Sequence, residues 1–226
     1  MQGTLLQAAA LIVPLIIAIV FHEVAHGWVA LALGDPTARE QRRLTLNPLR
    51  HVDPIGTIVV PGMLALASLP PFGWAKPVPV NQRRLRNPRF GMMAVAAAGP
   101  LTNLVLAAVG AVALGLLVRS AGVGAGTSFP GLNLQNFIFI NLFLALFNLL
   151  PIPPFDGSHI VEGVLPRRIA RGYARLRPYG FPLLFLLLLV VPYLWPSLGV
   201  VDRFVLPPVM WAADHYYALV SAVAGG

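Results

Sequence analysis

Residues 5–33 read LLQAAALIVPLIIAIVFHEVAHGWVALAL, an apolar run that carries Phe21-His22-Glu23-Val24-Ala25-His26 toward its far end. A transmembrane helix takes about 20 mostly apolar residues, so the run reads as a membrane span. It has no basic leading segment and is too long for the apolar part of a secretion signal, which argues against a cleaved leader. On a helix, positions i and i+4 share a face. His22 and His26 can therefore offer two imidazole nitrogens to one zinc ion, with Glu23 beside them to take a proton from water, the chemistry of an H-E-x-x-H motif. Ionisable groups inside a span each cost about 2.5–3.5 kcal/mol on an insertion scale. A packing role for this trio is the weaker reading.

The rest of the chain fits the same setting. Of its 226 residues 57% are hydrophobic and 11% charged, against roughly 45–50% and 25% in soluble domains, and the mean hydropathy is +0.75. An ordinary soluble globule is excluded. Cysteine is absent, so the sequence offers no disulfide framework, no thiolate nucleophile and no cysteine-held metal. Further apolar stretches run over 54–69, 91–118, 132–150 and 181–198, with a weaker one over 205–224. The stretch 54–69 is short and holds Pro61 and Gly62, so it is read as re-entrant or interfacial. With that choice every Lys and Arg except Arg119 and Arg203 falls on one side, which the positive-inside rule makes cytoplasmic. The expectation is four crossings, an outside N-terminus, and one membrane domain over 1–226 with its core at about 5–165 and a C-terminal span and tail at about 180–226. The net charge of +8 is then explained by topology and anionic headgroups, without nucleic acid. Arg42–Leu46 alternates weakly and is a candidate short β strand near the cytoplasmic face. The proline-punctuated run Phe72–Asn81 reads as extended.

Two histidines leave a catalytic zinc one protein ligand short. The carboxylates and imidazoles elsewhere are Asp35, Glu40, His51, Asp53, Asp156, His159, Glu162, Asp202, Asp214 and His215. Asp156 stands out because Pro151, Pro153 and Pro154 end the preceding span, leaving it at the cytoplasmic mouth, on the side of His22 and His26. It could equally cap the helix that follows. His159 reads as a loop or supporting histidine, and His51 and Asp53 as makers of turn hydrogen bonds.

Together, HEVAH in the first span, Gly99-Pro100-Leu101-Thr102-Asn103, and Asn148-Leu-Leu-Pro-Ile-Pro-Pro-Phe-Asp156-Gly157 resemble the site-2 protease family of intramembrane zinc metalloproteases. The likeness is greatest to its small bacterial branch without a PDZ domain. Asn47–Thr57 and Phe72–Val80 also look like that branch. The resemblance covers about residues 5–165. It implies an all-α polytopic membrane protein with a three-helix core, one catalytic Zn²⁺ held by His22, His26 and Asp156, and Glu23 as general base. It also implies that Asn148 lies beside the active site and that Asn103 fills the Asn of the G-P-x-x-N motif, both candidate contacts to substrate or oxyanion. The partners so implied are a transmembrane protein or peptide substrate and the lipid bilayer, in a bacterial inner membrane. Other classes remain open at this stage. One is a noncatalytic metal-binding or transport protein, although 92–118 and 181–191 carry no ionisable path until Arg119. The other is a membrane zincin of another family using Glu162.

Overall fold

The structure, a computed structural model, describes residues 2–66, 73–195, 199 and 201–226. Its elements among these residues are helical. The first span forms α1 (Gln2–Ala32) and two further long helices follow, α2 (Pro88–Ala121) and α3 (Phe129–Asn148). At 1.5 Å per residue, α1 and α2 reach roughly 45–50 Å, more than the ~30 Å hydrocarbon core, so each extends beyond it or tilts. A fourth apolar stretch, Arg167–Leu194, is also long enough to cross, although it is broken into short helical pieces. The chain is a multi-pass membrane protein.

Local chemistry sets the helix ends. Asn87 accepts from the Phe90 N–H at the start of α2, with Pro88 in its first turn, and Gly122 (φ +83°) ends it. Ser128 accepts from Gly131 N–H at the start of α3, and the prolines after Leu150 end that helix. Pro lacks the N–H needed to continue, while Gly tolerates positive φ.

α1, α2 and α3 pack on one another. The buried centre combines Ala107, Ala111 and Leu114 of α2 with Ile138 and Leu142 of α3. Small residues let the backbones approach, as lipid-embedded helices require. The stretch 205–224, weaker by composition, contributes as much as the others. It forms α5 (Leu206–Ala224), whose Val209, Ala212, Ala213 and Val220 complete that centre. A Cβ at Gly115 would come within 2.8 Å of the Val220 carbonyl oxygen. Between α3 and α5 lies the short helix α4 (Asp156–Val164), packed against α2.

The segment expected to be re-entrant or interfacial folds as Pro54–Val59 and Val60–Leu66, about 20 Å of helix over its described residues; its residues 67–69 lie outside those described. The expectation of short β strands is corrected, since the described residues contain none. Arg42 has φ +53°, and 43–47 runs extended with the Arg43 N–H spent on Ala38 O at 2.8 Å. The extended run 73–81 is tied to this region, but its Pro77 and Pro79 have no N–H to build a ladder.

Candidate active site

The residues that come together are His22 and His26 from α1 and Asp156 from the first turn of α4. Their potential ligand atoms all lie within 4.8 Å of one another, and no other such group occurs among the described residues. His22 Nε2 is 3.2 Å and His26 Nε2 3.3 Å from Asp156 Oδ2. That oxygen is buried, yet neither imidazole makes a directed hydrogen bond to it, and it has no other partner. Ligand atoms bonded at 2.0–2.1 Å to a tetrahedral zinc stand about 3.3 Å apart. The separations and the orphaned oxygen therefore suit a small cation with nitrogen and oxygen ligands.

The other ring nitrogens are occupied. His26 Nδ1–H donates to Val95 O at 2.7 Å, and His22 Nδ1 is 2.5 Å from Asn103 Oδ1. Metal-binding histidines use their second nitrogen in this way. The rings meet edge to face, with centroids 4.6 Å apart. The backbone of α2 crosses directly over them at Gly99, where a Cβ would sit 2.5 Å from both His22 Cε1 and His26 Nε2.

Asp156 is not the cap of α4. Phe155 holds that position without a side-chain bond, and Asp156 occupies the first turn, where the helix dipole favours a negative charge. Gly157 is needed for space: a Cβ there would strike the Leu149 and Leu150 carbonyls at the end of α3.

Glu23 lies outside the three-residue cluster and points its Oε2 to the Val78 N–H at 2.8 Å. The extended run thus passes over the motif, fixed by Arg43, whose Nη2 donates to Lys76 O at 2.8 Å, and by Lys76 N–H on His51 O at 2.9 Å. Nothing in the spacing of the sequence signalled this contact.

Asn103 is fully buried and committed within the bundle, with Nδ2 donating to Asn141 Oδ1 at 2.7 Å and to Ala18 O at 3.3 Å. Asn148 donates to Leu144 O at 2.9 Å. It sits seven residues after Asn141, on the same face of α3. His159 accepts from Arg177 at 3.3 Å; burial and that guanidinium lower its pKa. Glu162 pairs with Arg177, away from the cluster, which removes the basis for a glutamate-ligated site. His51 Nε2–H donates to Thr45 O at 2.9 Å and Asp53 accepts from the Ile55 and Gly56 N–H groups, as expected of turn residues. Asn141 was missed in the sequence; four Asn in α3, each needing a partner in lipid, were the available signal.

Comparison with known proteins gives the family. The model of Peptidase family M50 matches residues 131–191. A Bacillus subtilis protein named "Putative zinc metalloprotease YwhC" is 42% identical over 196 residues, covering 84% of this chain and 85% of that protein. "Putative zinc metalloprotease Rip2" of Mycolicibacterium smegmatis is 30% identical over 174 residues, 76% of this chain and 63% of that longer protein. "Putative zinc metalloprotease MJ0611" of Methanocaldococcus jannaschii is 41% identical over 68 residues, 30% of this chain and 32% of that protein. No solved structure matches. With YwhC alike along most of both chains, and the HEVAH and Asp156 elements juxtaposed within one membrane bundle, the chain belongs to Peptidase family M50, the site-2 protease family.

Proposed function

We propose that this protein is an intramembrane zinc endopeptidase that hydrolyses peptide bonds in or near transmembrane segments, close to the cytoplasmic face of a bacterial inner membrane. The observation that carries the reading is the convergence of His22 Nε2 and His26 Nε2 on a buried, unpartnered Asp156 Oδ2 at 3.2 and 3.3 Å. These three residues would hold the ion. Bound there, zinc would supply Lewis-acid polarisation of the scissile carbonyl and lower the pKa of a water toward neutrality.

Glu23 is the general base. With Oε2 held by the Val78 N–H, its other oxygen takes the proton of the attacking water and returns it to the leaving amine. Asn103 is already saturated by protein partners and is assigned to orienting His22. Asn148 keeps the substrate-side assignment: its face of α3 is that of buried Asn141, and reaching a substrate requires exchanging its bond to Leu144 O. A substrate helix has its amides in internal hydrogen bonds and must open before attack. His26 lies about 10 Å from the end of α1, a depth that water from the cytoplasmic side can reach. The clustering of Arg and Lys in the loops around that end supports the orientation.

The test is cleavage of a reporter transmembrane peptide in liposomes, with zinc analysis of each protein. Glu23→Gln should keep zinc and lose cleavage; Asp156→Ala should lose both. Full activity of Glu23→Gln overturns the mechanism, and unchanged zinc in Asp156→Ala removes that residue from the ligand set. Orientation is read separately: a single cysteine introduced at Arg83, in a chain that has none, should resist an external impermeant thiol reagent.

A further inference from the structure

Two side-chain amides and an imidazole form a dry line across the bundle. Asn141 Nδ2 lies 2.8 Å from Phe137 O. Its Oδ1 lies 2.7 Å from Asn103 Nδ2, which also faces Ala18 O at 3.3 Å. Asn103 Oδ1 lies 2.5 Å from His22 Nδ1. Both Asn residues are fully buried, so no water is at hand to mend a wrong pairing.

The polarity of this line is forced from its ends. The carbonyls of Phe137 and Ala18 can only accept. Asn141 must therefore turn its NH₂ to Phe137 and its oxygen to Asn103. Asn103 must answer with its NH₂, which Ala18 O independently demands, and so presents its oxygen to His22. An imidazole nitrogen facing an acceptor must carry the proton. His22 thus carries its hydrogen on Nδ1, so that in the neutral ring the lone pair is on Nε2, the nitrogen 3.2 Å from Asp156 Oδ2.

We propose that Asn141 is a positioning residue that acts through Asn103 to set the tautomer and ring orientation of His22, so that Nε2 is the atom offered to the metal. This rests on the reading of His22 as a zinc ligand. Asn141 touches neither ligand nor reacting atoms; it reaches His22 through Asn103. Loss of such an outer partner typically weakens metal binding 10- to 100-fold.

The experiment measures zinc affinity of the purified full chain by chelator competition, and the protonation of the zinc-loaded His22 ring by ¹⁵N NMR. Wild type should show hydrogen on Nδ1 and metal on Nε2. Asn141→Leu removes both amide bonds at similar volume and should weaken zinc binding by about 10- to 100-fold with the fold retained. Asn136→Leu is the control, since it removes an α3-to-α1 hydrogen bond, Asn136 Nδ2 to Ala10 O at 2.9 Å, that lies off this line. It should bind zinc as wild type does. An equal loss in the two variants overturns the proposal in favour of general packing, as does wild-type affinity in Asn141→Leu. If Asn141→Leu does not fold, the wild-type spectrum decides: hydrogen on Nε2 refutes the line. His22→Ala separates the two levels. Zinc affinity unchanged in that variant refutes the ligand reading itself, whereas loss there with none in Asn141→Leu refutes only the role of Asn141.

Discussion

Replacing Gly99 with alanine tests the site with a single methyl group. On the present backbone the new Cβ would lie 2.5 Å from His22 Cε1 and His26 Nε2 and 2.6 Å from His22 Nε2, where ordinary contact is 3.4–4 Å. Both rings are held from behind, by Asn103 and by the Val95 carbonyl, so they cannot swing clear cheaply. The crossing of α1 and α2 must open by roughly 1 Å, beyond the ~0.5 Å to which a working constellation has to be held. Overpacking of this kind costs about 1–3 kcal/mol, and the better helix propensity of alanine offsets about 1 kcal/mol of it. The fold should therefore survive with a net loss of about 0–2 kcal/mol. The strain falls on the two nitrogens that would bind the ion, and zinc affinity should drop by about 10- to 100-fold. Thermal unfolding in detergent, chelator-competed zinc binding and reporter cleavage measure the three quantities. Gly62→Ala, with nothing within 4 Å of its Cβ, should leave all three unchanged. A Gly99→Ala protein with wild-type zinc affinity and cleavage would show that α2 does not cross at the imidazoles, and the geometry of the site would be refuted with it.

Other outcomes follow from single contacts. Val78→Pro deletes the N–H that holds Glu23 Oε2 at 2.8 Å; a hydrogen bond to a charged group contributes about 1.5–3 kcal/mol, so kcat should fall by about 10- to 150-fold with zinc content unchanged, and an unaltered kcat would free Glu23 from the strap. Asp35 is fully buried and accepts from Thr37 N–H at 3.0 Å and Asn81 N–H at 2.5 Å. Asp35→Asn replaces a charged acceptor by a neutral one and leaves an amide NH₂ against donors, so stability should drop by about 1–3 kcal/mol in a thermal melt. Removal of zinc by a chelator should abolish reporter cleavage, and re-addition of zinc should restore it; cleavage that persists in a verified metal-free sample excludes the metalloprotease reading.

The parts of the site that local periodicity encodes were the legible ones. His22 and His26 share a face because of helix geometry alone, and Asp156 is marked by the prolines that stop α3. Gly99 and Asn103 are also four apart, so one turn of α2 lays a missing side chain over the rings and an amide against one of them. That arrangement is a property of two helices at their crossing, and a single sequence shows each helix without its neighbour. Asn141 is hidden for the same reason: its meaning depends on which carbonyls lie beside it, those of Phe137 for itself and of Ala18 for Asn103. The candidate strand at Arg42–Leu46 failed on a related point. Alternation describes one strand, whereas a ladder needs N–H groups on two, and the facing run contributes prolines at 77 and 79. Without a ladder the run still meets α1, with the Val78 N–H directed at the carboxylate of Glu23. The extended cover of the site is thereby tied to the carboxylate proposed as the general base, which is why the Val78 N–H, and not a strand edge, is the contact to remove when the two are to be uncoupled.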